Sequence, residues 1–159
     1  MNHILFVDDE PYFLTSVRRV LRQKKQDWNL LFAQTVETAL EIARTGPVDT
    51  IVSDIKMAGK NGFDLLQALQ TAESTPLVPV IVLTGSLEAD LKAKALDMGA
   101  FDLLHKPVNY AELVARINHC LWYKSRYDDV WTQKRFLEKE LQETVQTPGL
   151  YDPLTRLPN

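Results

Sequence analysis

Acidic, hydroxyl and ammonium side chains follow four short apolar runs in this sequence. These side chains are Asp8 and Asp9 after 4–7, Asp54 after 50–53, Thr84 after 80–83 and Lys106 after 101–105. In an open parallel α/β sheet, ligands bind in the crevice at the carboxyl ends of the strands. Residues suited to phosphate chemistry at four strand ends therefore predict one site, with Asp54 at its centre.

A cation is expected between the carboxylates of this cluster. In the strand order 2-1-3-4-5, the strand before Asp8 and Asp9 lies beside the strand before Asp54, about 4.8 Å away. Carboxylates this close repel one another unless a cation lies between them. Oxygen donors with few protein ligands favour Mg²⁺, which keeps several waters and binds phosphate oxygens. Zinc is disfavoured, because Cys120 and the three histidines are not spaced as a ligand set.

Thr84 and Lys106 lie on the other side of Asp54 in this strand order. The hydroxyl group of Thr84 can donate to a phosphoryl oxygen, and the side chain of Lys106 can reach across two strand spacings, about 10 Å. A metal, a hydroxyl and an ammonium group together supply the positioning and charge neutralisation that phosphoryl transfer mainly needs. A carboxylate can be the nucleophile, and we assign that role to Asp54.

The elements that must position these residues alternate between β-rich runs and helical patterns. Strands are predicted at 4–7, 28–33, 49–53, 80–83 and 101–105. Helices are predicted to begin at Pro11, after Gly62, and after the caps Thr35, Ser86 and Asn109, the Ser86 helix running from about Leu87 to Met98. Short crossovers force parallel, right-handed connections. Residues 1–122 therefore predict a doubly wound, flavodoxin-like α/β domain with a five-stranded parallel sheet of order 2-1-3-4-5.

A different pattern follows Trp122. Residues 123–149 are rich in charged side chains, and their apolar residues recur every three or four positions, which predicts an extended helix with a narrow apolar seam. Lys124 and Lys134 would interrupt this seam in a coiled coil. Because a lone helix of this kind is marginal in water, we expect a homodimer through residues 109–146. Residues 150–159 are too few to fold alone and indicate the start of a truncated downstream domain.

The first part of the chain resembles the receiver domain of bacterial two-component response regulators. The resemblance covers residues 1–122 and rests on five motifs: Phe-Val-Asp8-Asp9-Glu-Pro, Ser-Asp54-Ile-Lys-Met, Asn61-Gly62-Phe-Asp-Leu-Leu, Leu-Thr84-Gly85-Ser and His-Lys106-Pro107. It implies that Asp54 accepts a phosphoryl group from a sensor histidine kinase or a phosphotransfer protein. It implies that Asp9, Asp54 and the backbone carbonyl of Lys56 bind Mg²⁺, with Asp8 helping through water. Thr84 and Lys106 would bind the phosphoryl group, and the Lys106–Pro107 bond would be cis.

Two positions depart from the family pattern. Ala58 stands where the family usually has proline in the loop after the phosphoacceptor, and we expect a looser loop there. Leu103 occupies the switch position, where the family usually has Tyr or Phe. In the family, the rotamer of the aromatic switch residue is coupled to the threonine that corresponds to Thr84. With Leu103 at the switch position, this coupling is not expected here.

The last nine residues, Tyr151 to Asn159, resemble the opening of a GGDEF, or diguanylate cyclase, domain. Arg156 replaces the commoner glycine. Such domains often follow a receiver through a helical linker, which implies a longer protein with a diguanylate cyclase output. The catalytic GGDEF residues are absent from this sequence, so this chain itself is not expected to make cyclic di-GMP.

Composition and charge limit which partners and which cellular location are expected. A net charge of −3 does not favour direct nucleic-acid binding. No apolar run approaches the roughly 20 residues of a membrane span, and the N-terminus does not resemble a signal peptide. We therefore expect a cytoplasmic protein. Cys120, the single cysteine, is interpreted as a small buried hydrophobe.

Two other functions fit parts of the pattern. One is a Mg²⁺-dependent aspartyl phosphatase acting on small phosphoesters, although such enzymes usually place the nucleophile after the first strand. The other is a flavodoxin-like cofactor binder, which is disfavoured because the carboxylates would repel its phosphate. The receiver interpretation predicts no enzyme activity beyond self-phosphorylation and autodephosphorylation.

Overall fold

The structure, a computed structural model, describes residues 1–23, 27–71 and 78–145. The chain divides into two compact units, residues 1–124 and 125–159, and each is described by itself. The segment 151–159, from which the GGDEF resemblance comes, lies outside the described residues. Within the described ranges, no helix is long and apolar enough to cross a membrane.

Five strands and five helices alternate along the chain. The strands are β1 (Asn2–Val7), β2 (Trp28–Ala33), β3 (Thr50–Asp54), β4 (Val80–Thr84) and β5 (Asp102–His105). The helices are α1 (Pro11–Gln23), α2 (Val36–Thr45), α3 (Gly62–Thr71), α4 (Ala89–Asp97) and α5 (Tyr110–Val145). All neighbouring strands pair in parallel in the order β2-β1-β3-β4-β5. The predicted doubly wound, flavodoxin-like fold and the extended C-terminal helix are confirmed.

The central strands are buried on both faces, as expected where helices cover both sides of a parallel sheet. Every residue of β3 and of β4 is buried. Alternate residues of each strand point into one of two apolar clusters, so that Ile51 belongs to one cluster and its neighbour Val52 to the other. Burial on both faces therefore explains the continuous apolar runs in the sequence. Because the strands are parallel, their carboxyl ends lie along the same edge of the sheet.

Side-chain caps fix where most helices start. The hydroxyl of Thr35 accepts the N–H of Thr38 at 3.1 Å, and Asn109 Oδ1 accepts the N–H of Glu112 at 3.1 Å, as predicted. At α3, Asn61 Oδ1 accepts the N–H of Asp64 at 3.1 Å while Asp64 Oδ2 accepts that of Asn61 at 2.8 Å, a capping box.

The predicted start of α4 is wrong. Ser86 was expected to cap a helix from about Leu87, but the helix begins at Ala89, and its N-cap residue Glu88 makes no side-chain capping bond. The hydroxyl of Ser86 instead accepts the N–H of Glu88, two residues on, at 3.2 Å. Such a local turn competes with a cap for the same hydroxyl group.

The part of α5 in the second unit is largely exposed. Its large apolar side chains with high exposure are Val130, Trp131, Phe136, Leu137 and Leu141. Lys124, expected to interrupt the apolar seam, is instead buried in the first unit.

Candidate functional site

The carboxylates of Asp8 and Asp9 directly follow β1. The N–H of Asp8 donates to the carbonyl of Ala33 at 3.1 Å, which continues the pairing of β1 with β2 by one residue. The side chain of Asp8 is fully buried, and its Oδ1 accepts the N–H of Glu10 at 2.9 Å. Asp8 is therefore held rigidly in the crevice, whereas Asp9 is more accessible to solvent.

Asp54 is the last residue of β3 and is only 8% exposed. The N–H of Ile55 donates to the carbonyl of Leu83 at 3.0 Å, so the sheet still holds the backbone just past Asp54. Burial raises the pKa of the Asp54 carboxyl, the charge of Lys106 opposes this, and the nearby charge of Asp8 adds to it. The N–H of Lys56 also donates a hydrogen bond to this carboxylate.

The ammonium group of Lys106 contacts two of the carboxylates, those of Asp8 and Asp54. The backbone N–H of Lys106 donates to the carbonyl of Thr84 at 2.8 Å, which fixes its backbone beside the end of β4. Its Nζ lies 2.9 Å from Asp8 Oδ2 and 3.2 Å from Asp54 Oδ2. Burial disfavours the charged ammonium, but the hydrogen bond with Asp8 and the charges of Asp54 and Asp8 outweigh it, so the pKa of Lys106 is raised. The ammonium also lies 4.6 Å from the centroid of the Phe13 ring.

The oxygen atoms present fit a hard divalent cation. Carboxylate oxygens of Asp8, Asp9 and Asp54 all lie within 4.8 Å of one another. Carboxylate oxygen donors match Mg²⁺ better than a softer metal. The loop after β3 also contacts this carboxylate cluster. The N–H of Ala58 donates a hydrogen bond to Asp9 Oδ2 at 2.9 Å.

Thr84 lies at the end of β4, and Leu103 lies within β5. Thr84 is 2% exposed and ends β4, and its Oγ1 accepts the N–H of Ser86 at 3.0 Å. Since a hydroxyl both donates and accepts, the Thr84 hydrogen remains available for another acceptor. Leu103, the predicted switch position, is 6% exposed and packs in the core cluster on one face of the sheet. The cis Lys106–Pro107 bond implied by the resemblance is present.

Sequence reasoning missed two contacts of this site. One is the Phe13 ring near the Lys106 ammonium, and the other is the amide of Ala58 on Asp9. Phe13 lies in the first turn of α1, and α1 begins just after the acidic pair at the end of β1. Its place in the sequence could therefore have predicted a contact with the site. The Ala58 contact depends on the path of a loop, for which the sequence offered no comparable signal.

Comparisons with known proteins identify the class of this site. The family model described as the response regulator receiver domain matches residues 4–118. The transcriptional regulatory protein CpxR of Escherichia coli K12 is 35% identical over 121 residues, which is 76% of this chain and 50% of CpxR. A protein of Vibrio cholerae named "Probable cyclic di-GMP phosphodiesterase" is 30% identical over 138 residues, or 87% of this chain and 31% of that protein.

Solved structures agree with the family match. The signal receiver domain of an HD domain-containing protein from Pseudomonas fluorescens Pf-5 superimposes with a TM-score of 0.72 at 26% identity, covering 80% of this chain and 92% of that one. The receiver domain of the TMAO respiratory system response regulator TorR gives 0.68 at 29% identity, covering 77% and 98%.

This chain therefore belongs to the response regulator receiver domain family, and it is part of a two-component signalling system. It spans about half the length of CpxR and about a third of the Vibrio cholerae protein. None of these comparisons supports the alternative interpretation, a Mg²⁺-dependent aspartyl phosphatase.

The raised pKa of Asp54 leads to a stability prediction. In the folded protein its pKa lies above the ordinary value of 3.8, so ionisation at higher pH costs folding free energy. In buffer with a chelator at neutral pH, Asp54→Asn should therefore raise Tm by on the order of a few degrees. The gain should vanish as the pH falls below 3.8, where the carboxyl is protonated in both states. Thermal unfolding followed by circular dichroism measures it.

Glu41→Gln is the matched control, since it neutralises an exposed carboxylate on α2. It should leave Tm nearly unchanged across the same pH range. A lower Tm for Asp54→Asn at neutral pH would show that the ion pair with Lys106 outweighs the cost of burying the Asp54 charge, contrary to this account.

Proposed function

We propose that this chain is a phosphoacceptor module in which Asp54 takes a phosphoryl group from the phosphohistidine of a sensor histidine kinase or phosphotransfer protein. The observation that carries the proposal is the position of the Lys106 ammonium, 2.9 Å from Asp8 and 3.2 Å from Asp54. A buried carboxylate with a cation beside it is poised to bind a group of high negative charge. Membership in the receiver family supports the same role.

In the proposed reaction, an Asp54 carboxylate oxygen attacks phosphorus and the bond from phosphorus to the donor imidazole nitrogen breaks. The product is an aspartyl phosphate, and the electron pair of the broken bond stays on the imidazole. The Thr84 hydroxyl donates to one phosphoryl oxygen and the Lys106 ammonium binds another. These groups position the phosphoryl group and neutralise its charge, which is the main requirement of the transfer.

Asp9, Asp54 and the backbone carbonyl of Lys56 would hold Mg²⁺, with Asp8 contributing through water. The proximity of the three carboxylates supports this assignment. When bound, the cation would neutralise charge on the phosphoryl oxygens. Asp8 is already hydrogen-bonded by Lys106 and by the backbone N–H of Glu10, which favours its indirect role.

The output is proposed to be a diguanylate cyclase domain that follows the linker. Residues 1–122 would be the receiver, 123–149 the helical linker and 150–159 the first residues of the output domain. The GGDEF-like opening at Tyr151–Asn159 supports this arrangement. A relative named for cyclic di-GMP chemistry, matching over 87% of this chain, supports a cyclic di-GMP output in general.

Phosphorylation of Asp54 can be tested with a small-molecule donor. Incubation with acetyl phosphate and Mg²⁺ should add one phosphoryl group, because Asp54 is the single proposed nucleophile, 3.2 Å from the Lys106 ammonium and clustered with Asp8 and Asp9. Intact-mass spectrometry measures the increase. Asp54→Asn should reduce labelling to background, whereas Asp64→Asn, an exposed acid in the first turn of α3, should label as the wild type does.

Undiminished labelling of Asp54→Asn would overturn the assignment of the phosphoacceptor. Continuous release of phosphate from a generic phosphoester would instead indicate a phosphatase.

We also propose that the extended part of α5 mediates a homodimer within residues 109–146. Val130, Leu137 and Leu141 follow one another at spacings of seven and four and are 64%, 62% and 55% exposed. Such spacing forms an apolar stripe along a helix, and a second copy of the same helix is the simplest group to cover it. A two-fold dimer would bring two output domains together, as a cyclase with a shared active site needs.

The dimer is tested by placing a charge on this stripe. The wild-type chain should sediment as a concentration-dependent dimer, and Leu137→Lys should shift it to monomer because the ammonium would be buried at the helix contact. Thr132→Lys, at an exposed polar position of the same helix, should leave the dimer intact. Sedimentation velocity, with and without beryllofluoride as phosphoryl analogue, measures the masses. A wild-type monomer in every condition would contradict the proposal.

A further inference from the structure

The loop between β3 and α3 makes a backbone contact with the acidic pair at the end of β1. The N–H of Ala58 donates to Oδ2 of Asp9 at 2.9 Å, across 49 positions of sequence. Ala58 is exposed, so this bond is not a consequence of core packing. It connects the loop that follows the proposed nucleophile to a proposed metal ligand.

The two ends of this loop are fixed independently of Ala58. The N–H of Ile55 donates to Leu83 at 3.0 Å, and the N–H of Gly62 donates back to the carbonyl of Ile55 at 2.9 Å. A Cβ at Gly62 would lie 2.7 Å from the carbonyl oxygen of Asp54, so only glycine permits this close return. Ala58 therefore lies in the middle of a closed loop, where its N–H contacts Asp9.

The other two carboxylates of the cluster are each oriented by Lys106. Asp8 and Asp54 both bind its ammonium, at 2.9 and 3.2 Å. Asp9 has no ion pair among those found in residues 1–23, 27–71 and 78–145, and its described hydrogen bond comes from Ala58. With that bond in place, an oxygen of Asp9 lies within 4.8 Å of the oxygens of Asp8 and Asp54. The amide therefore holds Asp9 in a conformation compatible with a shared cation.

We propose that the Ala58 amide is the orienting donor for Asp9 and that it raises the affinity of this site for Mg²⁺. The inference rests on the proposed metal-binding function. A carboxylate can accept this N–H on one oxygen and still offer lone pairs to a cation. Hydrogen-bond partners behind a metal ligand fix its orientation, and losing one typically weakens binding by about 10–100-fold.

This role belongs to the particular residue at position 58. Proline, which the family usually has here, carries no N–H and cannot make the bond. The sequence predicted only a looser loop from this substitution. The structure shows that the Ala58 N–H connects this loop directly to Asp9.

Ala58→Pro removes the donor, and Ala58→Ser is the matched control because it keeps the N–H. Mg²⁺ binding to the full chain is measured by isothermal titration calorimetry. Ala58→Pro should weaken binding by about tenfold, the low end of the range because the position is exposed. Ala58→Ser should bind as the wild type does. The amide resonances of Ile55 and Gly62 in ¹⁵N-correlation spectra report whether the fixed ends of the loop are intact.

Equal affinity of Ala58→Pro and wild type would overturn the inference while leaving the metal site in place. Weaker binding together with displaced Ile55 and Gly62 resonances would assign the effect to loop distortion and would also overturn it. Absence of Mg²⁺ binding in the wild type would be a failure of the proposed metal-binding function itself, which this design distinguishes from a failure of the Ala58 role.

Discussion

The arrangement of the site depends on the contact of one ammonium group with two buried carboxylates. Asp8 is fully buried and Asp54 nearly so, and burying two like charges side by side is unfavourable without a counter-charge. Lys106 supplies that charge from a distant part of the sequence, 98 positions after Asp8. This is possible because the strand order places β3 between β1 and β4, so the ends of four strands border one crevice.

The same contact prepares the site for the proposed phosphoryl transfer. With Lys106 between them, oxygens of Asp8 and Asp54 lie close enough to surround a shared cation. The Phe13 ring, with its centroid 4.6 Å from the ammonium, adds a further attraction for the lysine charge. The crevice therefore combines backbone positions fixed by the sheet with one long side chain that contacts both buried carboxylates.

The sequence predicted most of this arrangement, and the reasons are physical. Apolar runs buried on both faces identify the five strands, and their alternation with helices permits few topologies, so the side chains that follow Val7, Ser53 and Leu83 had to meet. Local capping chemistry located α2 and α5 but failed at α4, where the Ser86 hydroxyl closes a turn instead. The Ala58–Asp9 bond could not be predicted, because it depends on a loop path that no periodicity encodes.

A crystal structure with Mg²⁺ and beryllofluoride tests the central claim most directly, since the analogue occupies the position of the phosphoryl group. The account predicts beryllium bonded to an oxygen of Asp54, with the Thr84 hydroxyl and the Lys106 ammonium each contacting a fluoride. Mg²⁺ should be bound by Asp9, Asp54 and the carbonyl of Lys56. An adduct on Asp8 or Asp9, or a Lys106 ammonium that contacts no fluoride, would contradict the account.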